Sequence, residues 1–284
     1  MIAHSDVIPL FEDLLVRGRG LVGMLKVYLD RGQKDDSKDG VMCVASVIFK
    51  ATPYKQFIRS WNQFLKPWGA SAFHATDFYN GAGEFKRNTP EREKLFAEDS
   101  RRIPSLLGVR VKHILLVSFR PAEFLEVASP QWKEKFGTSA HSHAVQLCLI
   151  SNGWWRYAHC RNESFAYFIE TGDPDQGEVV KTVERMRNDS ETGTAAVIKV
   201  SSFTPVDKGL ARGLEAADLL AWHWNKYYMD KIRTGQEDDP RKDFAALISS
   251  ARNRIKYIFA SGDKLKYFFS LVPPEVLGEP NDAE

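Results

Sequence analysis

Three acidic residues stand where an oxygen-ligand centre can be assembled. Asp30 follows Leu-Lys-Val-Tyr-Leu at 25–29, and Glu170 follows Phe-Ala-Tyr-Phe-Ile at 165–169. Asp218 lies inside Gly-Leu-Glu-Ala-Ala-Asp-Leu-Leu-Ala-Trp at 213–222. An acid in so apolar a helix is costly unless something pairs with it. A divalent cation does so, because hard Mg²⁺ or Mn²⁺ takes oxygen ligands from a few carboxylates. Glu215, three residues before Asp218, shares its helical face and is a fourth candidate metal ligand. Each acid also has a plainer reading. Asp at a strand end is commonly a turn residue, and Glu170 opens the turn-like Thr-Gly-Asp-Pro-Asp, in which Asp173 and Asp175 read as solvated. Glu215 falls early in its helix, where the macrodipole favours a carboxylate. Asp218 is the hardest to explain that way.

A second constellation is Phe73-His74-Ala75-Thr76-Asp77-Phe78. His74 and Asp77 could shuttle a proton or add a metal ligand. On the residues alone the favoured account is a helix start, with Thr76 or Asp77 as cap. His141 and His143 are two apart on an expected helix, point to different faces, and are not expected to form a metal pair.

The elements that must position these residues follow from periodicity. Residues 25–29 and 41–49 read as strands, and the polar stretch between them is too short for a crossover helix, so an opening hairpin is expected. Helical spacing is expected over 54–65 (Thr52 as N-cap, Pro53 at the first position), 90–107, 139–158, 178–187, 209–228 and 244–259. Strands are expected over 109–119, 165–169 and 195–200. Two strands and a helix followed by alternation predict an α/β fold, one mixed sheet with helices on both faces. Ligands then gather at the carboxyl ends of the strands. The chain reads as a single domain over 1–272, with insertions and a C-terminal helical extension; 273–284, Pro-rich and acidic, reads as a flexible tail.

Composition narrows the class. Hydrophobic residues make up 43% and charged residues 27% of 284, which excludes a disordered chain. A formal charge of +2 does not announce a nucleic-acid binder, though a local basic face is compatible with it. Cys43, Cys148 and Cys160 are dispersed and odd in number, so neither a zinc ribbon nor a disulfide framework is expected. The N-terminus lacks a basic region followed by an apolar stretch, and no apolar run approaches the roughly 20 residues of a membrane helix. A cytoplasmic protein with no membrane association is expected, and a homodimer is left open.

Taken in order, Tyr28-Leu29-Asp30, Phe73-His74-Ala75-Thr76-Asp77, Phe168-Ile169-Glu170 and Gly213-Leu214-Glu215-Ala216-Ala217-Asp218 resemble the motifs of the family called domain of unknown function 3800. The resemblance spans about 26–228. It implies a ribonuclease H-like fold and a metal-dependent nuclease, with Mg²⁺ or Mn²⁺ as cofactor and nucleic acid as partner. By the same resemblance Asp30, His74, Asp77, Glu170 and Asp218 take catalytic places, with Asp30, Glu170 and Asp218 (or Glu215) holding two ions about 4 Å apart. Asp207-Lys208 is similar to the family's Asp-Ser-Lys stretch, so Lys208 is expected to face a phosphate or a carboxylate. Three departures stand out. Arg31-Gly32-Gln33 replaces Glu-Ser-Gly, Glu170 replaces an Asp, and Glu215 replaces a Gln. Arg31 would neutralise the cluster if it folded inward. The departures favour a second reading, a nucleic-acid- or partner-binding module that keeps the fold without the chemistry. A third is an enzyme acting on a nucleotide. Lys86-Arg87, Arg101-Arg102, the basic residues of 208–212, Trp154 and Trp155 are candidate substrate contacts, although paired basic residues are usually solvated helix faces.

Overall fold

Alternation along the first strand decides what each face of the sheet carries. The computed structural model describes residues 24–32, 40–173, 175–189, 193–234, 242–251 and 254–260. Strand β1 (Met24–Gly32) pairs antiparallel with β2 (Met42–Phe49), and β2 pairs antiparallel with β3 (His113–Phe119). On the other side of β1 run β4 (Ser164–Glu170) and then β5 (Val200–Val206), both parallel to it. Strand β6 (Ile255–Ala260) adds parallel to β3, giving a six-stranded mixed sheet in the order β5-β4-β1-β2-β3-β6. The carboxyl ends of β1, β4 and β5 therefore share one edge.

The helices are α1 (Ala51–Leu65), α2 (Ala75–Asn80), α3 (Pro90–Gly108), α4 (Pro121–Val127) and α5 (Pro130–Phe136). They continue with α6 (Ala140–His159), α7 (Gln176–Asn188), α8 (Thr194–Ile198), α9 (Arg212–Thr234) and α10 (Lys242–Ser250). Side chains on a strand alternate between faces. Tyr28 of β1 falls with Val47, Phe49 and Phe168 in one core, closed by α1, α3 and α9 through Trp61, Leu107, Leu214 and Leu220. Val27 and Leu29 fall in the other core, closed by α6 and α7 through Val145, Leu149 and Val183. Asp30 belongs by alternation to the α9 face and Arg31 to the α6 face.

Helix α9 lies unusually close to β1, and glycine makes this possible. A Cβ on Gly213 would sit 2.2 Å from a Tyr28 ring carbon, and one on Gly32 2.7 Å from the Ala221 carbonyl oxygen. Tyr28 cannot yield, since it is buried and stacked against Tyr54 and Phe168 with centroids 5.2 and 5.0 Å away. This approach carries Asp218 to the end of β1.

Several elements differ from the sequence-based expectation. Helix α1 starts at Ala51 with Lys50 at its cap position, so Thr52 lies inside the first turn. The strand expected over 109–119 begins only at His113, because Val111 N–H still donates to Leu107 at the end of α3. The apolar run 195–200 is not a strand; α8 is a single helical segment whose Ala196 and Val197 carbonyls accept from the Arg156 guanidinium, and β5 starts at Val200. A short apolar run has no periodicity to separate the two outcomes. The final helix expected over 244–259 is α10 followed by β6. The tail expected at 273–284 lies outside the described residues.

Candidate metal centre

The register of β1 against β4 ends at Leu29 opposite Ile169, so Asp30 and Glu170 follow as neighbours on the shared edge. Beside them β5 gives way to the 3₁₀ turn Lys208–Leu210, and α9 brings Asp218. Three carboxylates converge on one ammonium: Lys208 Nζ lies 2.9 Å from Asp30 Oδ2, 3.2 Å from Glu170 Oε2 and 3.6 Å from Asp218 Oδ1. The group grades from interior to surface, with side-chain exposures of 4% for Asp30, 7% for Lys208, 16% for Asp218 and 35% for Glu170. Asp30 Oδ1 accepts from the Arg31 N–H at 2.9 Å, and Asp218 Oδ2 from the Ala75 N–H at 2.8 Å.

Electrostatics follow from that geometry. Burial works against the Lys208 ammonium, but Asp30, Asp218 and Glu170 outweigh it and hold its pKa above the ordinary lysine value. Burial lifts Asp30 well above the ordinary carboxylate range; Lys208 opposes this, and Asp218 and Glu170 add to it. One ammonium against three carboxylates leaves two negative charges uncompensated when all are ionised.

The Lys208 ammonium occupies the point where the three carboxylates converge, so an ion would have to sit beside it and would not share Asp30 with a second one. Hard carboxylate oxygens and two spare charges suit Mg²⁺ or Mn²⁺. Asp30 is the most buried of the three and the closest to Lys208, whereas Asp218, with one oxygen on the Ala75 N–H, and Glu170 lie nearer the surface as the more open donors.

Glu215, expected as a metal ligand, has other partners. Its carboxylate is wholly buried, receives Arg212 on one oxygen and Trp61 Nε1 on the other, and is not among the groups around Lys208. Burial pushes it up to about 7, against the pull of Arg212 and Trp61. Arg212 also donates to Asn62 Oδ1 and to the Ser71 carbonyl, both at 2.9 Å, so this pair ties α9 to α1 and to the 71–75 segment.

That segment carries His74 and Asp77. His74 is the exposed residue at the cap of α2, and Asp77 lies in its first turn, packed against Gly83. The Ala75 N–H held by Asp218 docks this helix start onto the centre. Several of the candidate substrate contacts are locally engaged. Arg87 lies over the Phe96 ring and donates to Tyr79, Arg101 to Ala97, Arg102 to Asp99. Trp155 stacks on His113 and His159, while Trp154 is 58% exposed.

Arg31 does not neutralise the carboxylates around Lys208. Being on the α6 face, it meets Asp173 and Asp175, with Nε 3.3 Å from Asp173 Oδ2 and Nη1 3.4 Å from Asp175 Oδ2. His141 Nδ1 lies 3.5 Å from the same Asp173 oxygen. Burial opposes ionisation of Asp173, but His141, the Asp175 N–H and Arg31 hold it down at about 2. Asp30, Glu170, Arg31, His141, Thr171 and Asp173 line one cavity of about 100 Å³, so both charge groups open into one space. Asp173 and Asp175, expected as solvated turn residues, are instead partly buried against Arg31, which strand alternation turns away from Asp30. No helix among the described residues is long and apolar enough to cross a membrane. The chain matches no family model, and comparison with curated proteins and with solved structures returned no significant match.

Proposed function

We propose that the protein is a divalent-cation-dependent enzyme that cleaves phosphodiester bonds in nucleic acid, on a ribonuclease H-like sheet. The observation that carries this reading is the convergence of Asp30, Glu170 and Asp218 at the shared carboxyl edge of β1 and β4, beside an open cavity. An antiparallel β1-β2-β3 meander followed by parallel β4 and β5 supports the fold assignment. Glu170 and Asp218, with Asp30 behind them, would hold the cation. Bound there, it would polarise a phosphoryl oxygen and acidify a water. Lys208 holds the three carboxylates together against their repulsion. His74, one residue before the N–H that Asp218 binds, is the group of that segment suited to moving a proton.

One observation favours a second reading, a nucleic-acid-binding module without chemistry: Lys208 already places a positive charge among the three carboxylates. Unfolding with and without Mg²⁺ or Mn²⁺, for the wild type and Asp218→Asn, separates the two. A ligand at 100 times its Kd adds about 2.7 kcal/mol to the folded state. Metal is expected to stabilise the wild type and to lose most of that effect in Asp218→Asn, which keeps an acceptor for Ala75. A wild type indifferent to both metals would leave the binding module as the better account.

A further inference from the structure

We infer that His141, Asp173 and Asp175 form a separate binding site for a first-row transition metal, Zn²⁺ or Mn²⁺, at the mouth of the same cavity. One ligand atom from each of the three lies within 4.8 Å of the others. The residues come from two elements that the fold fixes independently. His141 is at the start of α6, whose cap Ser139 accepts from the Ser142 N–H at 3.0 Å. Asp173 and Asp175 sit in the turn between β4 and α7, where Asp173 Oδ1 accepts from the Asp175 N–H at 2.9 Å and fixes the relative placing of the two carboxylates.

A pair of acids in a turn is common without any ion, so the weight falls on the histidine. His141 is 2% exposed, and its Nδ1 is buried with no hydrogen-bond partner among the described residues. It points at Asp173 Oδ2 from 3.5 Å, beyond the range of a good hydrogen bond. A buried ring nitrogen left unsatisfied is costly. An imidazole nitrogen with two carboxylate oxygens is a ligand set that suits a first-row metal over Mg²⁺ or Ca²⁺. Asp173 and Asp175 face Arg31 as their cation, which leaves one negative charge uncompensated at this group when both are ionised.

The site stands whether or not the cavity cleaves phosphodiesters. Its test uses Co²⁺ as probe, added to the metal-stripped full chain and followed by visible d–d absorption, with wild type, His141→Gln, Asp175→Asn and Asp218→Asn compared. One equivalent of Co²⁺ is expected to develop the bands in the wild type and in Asp218→Asn. His141→Gln and Asp175→Asn are each expected to weaken binding at least about tenfold. Asp175 is partly exposed, so its variant reads the site even if the buried histidine replacement does not fold. No bands in the wild type, or bands undiminished in Asp175→Asn, would overturn the proposal. Loss of binding in Asp218→Asn together with retention in the His141 and Asp175 variants would assign the ion to the other centre and overturn it as well.

Discussion

Replacing Lys208 by methionine is expected to cost the fold about 3–5 kcal/mol at pH 7, the usual penalty for removing one partner of a buried ionic group. Methionine is an unbranched apolar side chain of similar length, so the loss chiefly reports the ammonium. Asp30 would be left in the interior beside Glu170 and Asp218 with nothing to offset the repulsion. The pH dependence has a definite sign. A carboxylate raised in the folded state contributes stability that is present at low pH and is lost as pH rises through the raised pKa. Asp30 is already raised in the wild type with Lys208 opposing the shift, so the variant extends the effect. Urea denaturation should therefore find Lys208→Met close to wild type at pH 5 and weakest at pH 8. Millimolar Mg²⁺ or Mn²⁺ should restore part of the loss. Where lysine stands permanently in place of a cation, the variant alone would respond to metal; where a cation binds beside it, the wild type responds too. A variant as stable as the wild type at every pH would mean that the three carboxylates are not jointly ionised.

The second large effect is expected at Arg212. It is 5% exposed and pairs with Glu215, which is 0% exposed. Arg212→Met should destabilise by about 3–5 kcal/mol, because Glu215 keeps only Trp61 and its backbone contact at Phe73. Burial already lifts Glu215 to about 7, and losing Arg212 removes the strongest influence that lowers it. The penalty should accordingly shrink below pH 5, where the carboxyl is protonated in the folded wild type and the folded variant alike, and grow above pH 7. Adding Glu215→Gln to Arg212→Met should recover much of the stability, since an amide can still accept from Trp61 without a buried charge. If the double variant is no better than the single one, lost packing against Asn62 and Ser71 explains the effect instead of charge.

These residues show what the sequence could and could not reveal. Asp30 and Glu170 were legible because each follows an apolar run that had to be a strand, and parallel pairing of β1 with β4 then sets them side by side. Asp218 was legible because an acid in an apolar helix needs a partner. Glu215 shares that helical face, yet the fold pairs it with other partners. Arg212, three residues earlier, is the cation at helical spacing, and α1 presents Trp61 to the same carboxylate. Helical spacing places side chains on one face but not which neighbour covers each turn of it. The pair formed by His141 and Asp173 joins residues 32 positions apart, in α6 and in the turn after β4, a contact no local pattern encodes. Strand β6 was hidden for a similar reason. Residues 255–260 gain their strand hydrogen bonds only by lying against β3, and the apolar spacing of 244–259 was equally compatible with a helix.

The most direct test of the central claim is cleavage itself. The full-length chain, Asp30→Asn and Asp218→Asn, each shown to be folded by circular dichroism, are incubated with end-labelled single-stranded and duplex RNA and DNA, with Mg²⁺, with Mn²⁺ and with chelator. The expected result is metal-dependent hydrolysis of at least one substrate by the wild type, abolished by chelator and slowed at least about 100-fold in each variant. Absence of metal-dependent cleavage on all four substrates, or equal cleavage by wild type and variants, would contradict a phosphodiesterase centre at Asp30, Glu170 and Asp218.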